Sequence, residues 1–327
     1  MNVPFAGLCL AELRKVRGRG LLYAVLLFGA AHGIAAPLLA RITVFAGESA
    51  MRKMGAGGAE STPSDSMDWL VAADLSQTAI TLPIFGLVLL FLMAVLWAQD
   101  FSLGTLGMLV IRPVSRLKIF LSKVAVSWLI VGLAVALALM FGSLIGLPLF
   151  GTSGDIAGLA SVNLCIDPSD APCFPYISWM AVLPSDDLAM VGEGAAVALG
   201  FGARVLGLIQ GFALAVLLHG PLIGVAALVA TLTRSPVLTL FGSLLLFVAD
   251  ALVTFFLKVW AALDGVDGSA LAGQLKGLTL WSTRGIYRLH GSGELLERGG
   301  VDLLLVCIYT AGLLGLSGWI FVRRDLD

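Results

Sequence analysis

The most concentrated polar chemistry in this chain lies between Asp100 and Lys123. One carboxylate opens the stretch, a Gly104-Thr105 pair follows, and four cations (Arg112, Arg116, Lys118 and Lys123) close it. Long apolar runs lie on both sides. These residue types in this order make no bond-breaking centre. They suit a short amphipathic element, 101–122, at a membrane face, placed to receive something from a soluble partner.

Chemistry of other kinds has no footing. There is no G-x-x-x-x-G-K-[ST] loop to cradle a nucleotide, no H-E-x-x-H pair, no Cys/His grouping with metal spacing and no nucleophile elbow. The three histidines stand far apart at 32, 219 and 290. We therefore expect no catalytic residue, no metal and no cofactor in this chain, and no enzymatic activity of its own. Two intramembrane polar residues stand out, because such groups are costly in lipid. His219 and Asp250 each lie about 20 Å from the short turn at 233–236, reckoned at the helical rise. They could form a gate or polar path at one depth. Alternatively, His219 donates to a carbonyl freed by Pro221 while Asp250 is hydrated near the outer interface. Cys165 and Cys173 share one polar loop and are a candidate disulfide on an oxidising face. Cys9 and Cys307 sit in apolar surroundings and read as packing. Arg204 is placed to snorkel to the outer headgroups.

The elements that must position these residues follow from composition. Hydrophobic residues make up 59% of the 327, charged residues 13%, and the mean hydropathy is +0.99. Soluble domains carry roughly twice that charge. The pattern predicts an all-α polytopic membrane protein forming a single domain over 1–327, with six spans: 20–44, 75–98, 123–147, 202–231, 237–256 and 301–322. An interfacial helix over 4–18 precedes them, with Glu12, Arg14, Lys15 and Arg17 on a wet face. A charged start without a small-residue cleavage site argues against a removable signal. The fourth run is too long for one straight crossing and carries a break at Gly220-Pro221. Thr233-Arg234-Ser235-Pro236 is a tight turn between antiparallel neighbours.

Six crossings put both termini on one side, with the basic clusters at 14–19, 112–123, 234 and 323–324. The loop at 150–195 is acidic and has no Lys or Arg between Phe150 and Glu193. The positive-inside rule makes the basic side cytoplasmic. The loop at 258–300, also extracytoplasmic on this count, carries Lys258, Lys276, Arg284, Arg288 and Arg298 against that rule, so part of it is expected to re-enter the membrane. The basic residues are scattered and juxtamembrane, which excludes a nucleic-acid-binding domain.

The order Asp100, Gly104-Thr105, Pro113-Val114-Ser115-Arg116, Lys123 resembles the signature between spans two and three of type-2 ATP-binding cassette (ABC) permeases. Asp100 stands where that family more often has Glu. Glu12 and Lys15 near the start, and Phe321-Val322-Arg323-Arg324-Asp325-Leu326 at the end, are also similar to the family's termini. The resemblance implies a permease subunit of an exporter in the cytoplasmic (inner) membrane, working as a homo- or heterodimer with a second permease. ATP and Mg would be bound by a separate ATPase subunit. The segment 101–122 would be the coupling helix, with Asp100, Gly104, Thr105, Arg112, Pro113, Val114, Ser115 and Arg116 transmitting the ATPase's movement. A stand-alone secondary transporter or membrane scaffold is the alternative. Such a carrier should show matching interrupted halves, and none is evident.

Overall fold

The computed structural model describes residues 4–18, 20–53, 72–73, 76, 83–102, 115–150, 201–263 and 300–323. Among them, all regular structure is helical: α1 (Phe5–Gly18), α2 (Leu21–Lys53), α3 (Pro83–Ser102), α4 (Arg116–Phe150), α5 (Phe201–Leu218), α6 (Gly220–Thr233), α7 (Pro236–Leu263) and α8 (Gly300–Arg323). Backbone amides have no water to bond in a bilayer, so an apolar chain satisfies them within helices. Five stretches are long and apolar enough to cross: Leu22–Ile42, Arg116–Phe150, Leu208–Thr233, Pro236–Leu257 and Gly300–Arg323. The shorter apolar helix Phe85–Ala98 lies within α3. The protein is an all-α, polytopic membrane protein.

Several boundaries differ from those read in the sequence. Phe101 and Ser102 finish α3, and Arg116 to Ser122 already belong to α4, so within 101–122 only 103–115 lie outside these two helices. At 35 residues, α4 is about 50 Å long, well over the roughly 30 Å of a hydrocarbon core. Its first turns can therefore stand clear of the lipid without leaving the helix. In the same way α2 runs on to Lys53 and α7 to Leu263, into stretches expected to be loop.

Close helix approach rests on small residues. A methyl group added at Gly29 would lie 2.6 Å from the Ala134 carbonyl oxygen, and one at Gly33 would lie 2.5 Å from that of Ala138, so α2 and α4 meet backbone to backbone. Gly220 and Gly224 of α6 instead make room for side chains of α8, those of Thr310 and Leu313. Pro37 sits inside α2 and lacks the N–H that would reach the Gly33 carbonyl. The buried Ser76 hydroxyl lies 3.3 Å from that oxygen and 2.8 Å from the Ala72 carbonyl, so its one hydrogen is shared between them.

The expected break in the long fourth run falls at His219, between α5 and α6. Pro221 opens α6, where a missing N–H is tolerated. At the next corner Arg234 takes a left-handed conformation (φ 56°) and its N–H closes on Ala230. Ser235 then caps α7 with its hydroxyl 3.5 Å from the Leu238 N–H, so α6 and α7 pack as neighbours.

Candidate functional site

Where α1, α3 and α4 meet, four charged side chains close into a ring. Glu12 Oε1 accepts from Lys15 Nζ at 2.9 Å and its Oε2 from Lys123 Nζ at 3.3 Å. Asp100 Oδ2 accepts from Lys123 at 2.5 Å and from Lys15 at 3.2 Å. Signs alternate around the ring and the sum is zero. Lys123 is fully buried, Asp100 nearly so, and Glu12 is 4% exposed; only Lys15 reaches the surface.

The placement of Glu12 corrects the wet face expected of the first helix. Leu8, Glu12 and Val16 are the buried residues of α1, four apart on one stripe, while Arg14 and Arg17 are exposed. Glu12 thus faces inward because its partners lie on α3 and α4. Lys123 sits in the second turn of α4 among the buried residues Ile119, Phe120, Val126 and Ser127. An ammonium there would be prohibitively costly alone; two carboxylates compensate it.

The surroundings hold the ring still. One turn away, Trp97 Nε1 of α3 donates to the Ser127 hydroxyl of α4 at 3.2 Å, inside the core. Phe120 packs on Trp97 at 5.2 Å between ring centroids and on Phe321 at 5.7 Å, which brings in the end of α8. The Ser115 hydroxyl lies 3.4 Å from the Lys118 N–H and caps α4. Arg116 donates from its guanidinium to the Val322 carbonyl at 3.3 Å, satisfying one of the last acceptors of α8.

Burial alone would raise the Asp100 carboxyl. The Lys123 and Lys15 ammonium groups outweigh it and bring the group from 3.8 down to about 2. Burial would likewise lower Lys15, but Glu12 and Asp100 hold it above its usual 10.5. The signs give a pH prediction. Asp100's contribution is complete above about pH 4 and is lost as pH falls toward 2; that of Lys15 is complete below 10.5 and is lost above it. The melting temperature of the solubilised protein should therefore drop between pH 4 and 2 by more than that of Asp100→Asn. Parallel acid limbs in the two proteins would mean that Asp100 is not held this way.

The residues singled out from the sequence fare differently. Asp100 joins the ring, while Ser115 and Arg116 begin α4 about two turns before Lys123, bonded to Lys118 and Val322. Gly104, Thr105, Arg112, Pro113 and Val114, and the cysteine pair Cys165 and Cys173, lie outside the described residues. His219 packs its ring edge-on to Phe85 at 5.2 Å, and its Nδ1 lies 2.6 Å from the Ala215 carbonyl. A regular helix would give that oxygen to the His219 backbone N–H, which here turns to Val216 instead. The imidazole thus stands in for a displaced amide at the break between α5 and α6. Asp250 is partly buried on α7, where its carbonyl accepts from the Thr254 hydroxyl at 2.8 Å. Of the two cysteines expected to pack, Cys9 lies partly buried against the core, whereas Cys307 is exposed on α8. Sequence reasoning did not rank Glu12, Lys15 and Lys123 as site residues. The spacing of Leu8, Glu12 and Val16, and an Asp and a Lys at facing ends of two apolar runs, were the signals available.

The family described as protein of unknown function (DUF2705) matches residues 56–267, more than half of the chain. The chain belongs to this family. The match takes in α3 to α7, with Asp100 and Lys123, and leaves Glu12, Lys15 and α8 outside it. A similar relative is the uncharacterized protein YhcI of Bacillus subtilis (strain 168), 38% identical over 97 residues. That stretch is 29% of each protein, so the likeness spans less than a third of the relative's length.

Proposed function

We propose that this chain is the membrane-spanning permease subunit of an ABC exporter, without catalysis of its own, in the cytoplasmic membrane. A separate ATPase would bind ATP and Mg and transmit its movement through the segment between α3 and α4. Six spans, with α3 as the second, would place that segment and both termini on the cytoplasmic side, and a second permease copy or relative would complete the path. One observation carries the reading. The two flanks of the segment that resembles a coupling element, Asp100 and Lys123, are locked to each other and to α1 by ion pairs at 2.5–3.3 Å. A push on residues 103–114 would be passed to three helices together instead of being absorbed by a loose hinge. A stand-alone carrier has no need of such a clamp at a loop.

Purification of the tagged chain from its native membranes in mild detergent tests this. An ATPase carrying a phosphate loop should come with it, and Arg112→Glu should release that ATPase while the chain still inserts. Arg116 serves less well as a probe, since its bond to Val322 makes a charge reversal there disturb α8 too. Transport by the purified chain with no ATPase present would overturn the proposal.

A further inference from the structure

An apolar groove opens on the outside of the bundle at the same end as the charged ring, between the first turns of α4 and the last turns of α8. Leu117, Leu121 and Val124 form one wall, Trp319 and Val322 the other, and Gly315 and Gly318 the floor. Its volume is about 410 Å³, within the range of small-ligand clefts. Gly315 leaves it open, since an added methyl group there would meet nothing within 4 Å, whereas one at Gly318 would meet the Phe120 ring at 3.1 Å. Its walls face outward, with Leu117 50% and Trp319 54% exposed.

Cations gather at the mouth. Arg323 lines the groove and lies over the Trp319 ring at 4.7 Å. Arg116 reaches Val322 from the opposite helix, and Lys118, two residues further along α4, is exposed outside the groove lining. An apolar slot running along two membrane helices, with arginines and an indole at one end, complements a molecule with a hydrocarbon tail and a negative head. Indole rings and cationic side chains settle at the headgroup level, and anionic headgroups favour juxtamembrane Lys and Arg.

We propose that this groove is a fixed site for one anionic phospholipid, its acyl chain over Gly315 and Gly318 and its phosphate at Arg323 and Arg116. The site does not depend on the transport reading. Because Arg116 begins α4 two turns from Lys123, a lipid held there would brace the helix that carries the ring.

Trp319 reports on its own groove. The protein would be reconstituted in phosphatidylcholine vesicles containing a small fraction of acyl-brominated phosphatidylglycerol or, in parallel, acyl-brominated phosphatidylcholine. The Trp319 share of the quenching is isolated by difference from Trp319→Phe. Per brominated lipid, the anionic species should quench at least about fivefold more, the preference a single juxtamembrane arginine gives. Arg323→Gln together with Arg116→Gln should bring the two lipids level, and Gly315→Leu should weaken quenching by both. Equal quenching by the two lipids in the unmodified protein would overturn the proposal. So would Trp319 shielded from both, the result expected if a second protein chain covers the groove.

Discussion

Lys123→Met should cost the folded protein about 3–5 kcal/mol, the range found when one partner of a buried ion pair is removed. The methionine fits the volume, so the loss is electrostatic. Asp100 would lose its closest ionic partner and keep the partly exposed Lys15 at 3.2 Å, and Glu12 would lose its ion pair with α4. In detergent, the variant should melt well below the parent or fail to yield monodisperse protein. Asp100→Leu combined with Lys123→Met should regain most of the loss. That double change removes one charge of each sign and leaves Glu12 paired with Lys15 at 2.9 Å. Coupling of this kind is what a double-mutant cycle reads. If the double variant melts no higher than the sum of the two single losses allows, the ring is four separate contacts and not a clamp.

The second large effect concerns α2 and α4, and its cause is steric. Gly33→Leu is expected to abolish recovery of folded protein, and Gly33→Ala to cost about 1–3 kcal/mol, the usual scale of overpacking. A side chain there meets Ala138 backbone atoms at 2.5 and 2.8 Å and the Phe141 Cβ at 2.9 Å. Backbone has no rotamer to give way, so the helices must part. Gly132→Ala on α4 is the control, because nothing lies within 4 Å of the added methyl; it should melt with the parent. Equal behaviour of Gly33→Ala and Gly132→Ala would show that close backbone approach does not hold this pair together.

Much of the architecture was readable in one dimension because lipid imposes a simple rule. A segment of about 20 apolar residues must be helical and must span, and charges collect at its ends. That logic located the helices, the interruption before Pro221 and the tight corner at Arg234. It also marked Asp100 and Arg116 as residues of interest. Boundaries were harder. Arg116 to Ser122 looked like part of a separate element because of their charge, yet they are the first turns of α4. A helix can carry cations past the lipid surface as readily as a loop can.

What periodicity could not supply was the direction of individual charges. Glu12 looked hydrated among Arg14, Lys15 and Arg17, and only the packing of α1 on α4 turns it inward. Lys123 looked like a boundary marker and is instead buried. The sequence by itself determined a helical, multi-pass membrane protein with a cationic segment between two apolar runs, since hydropathy and helix length are local properties. Tertiary structure alone decided that Glu12, Lys15, Asp100 and Lys123 form one neutral ring. Their partners come from three helices up to 111 residues apart, and a buried charge takes its position from whichever opposite charge the fold brings within reach.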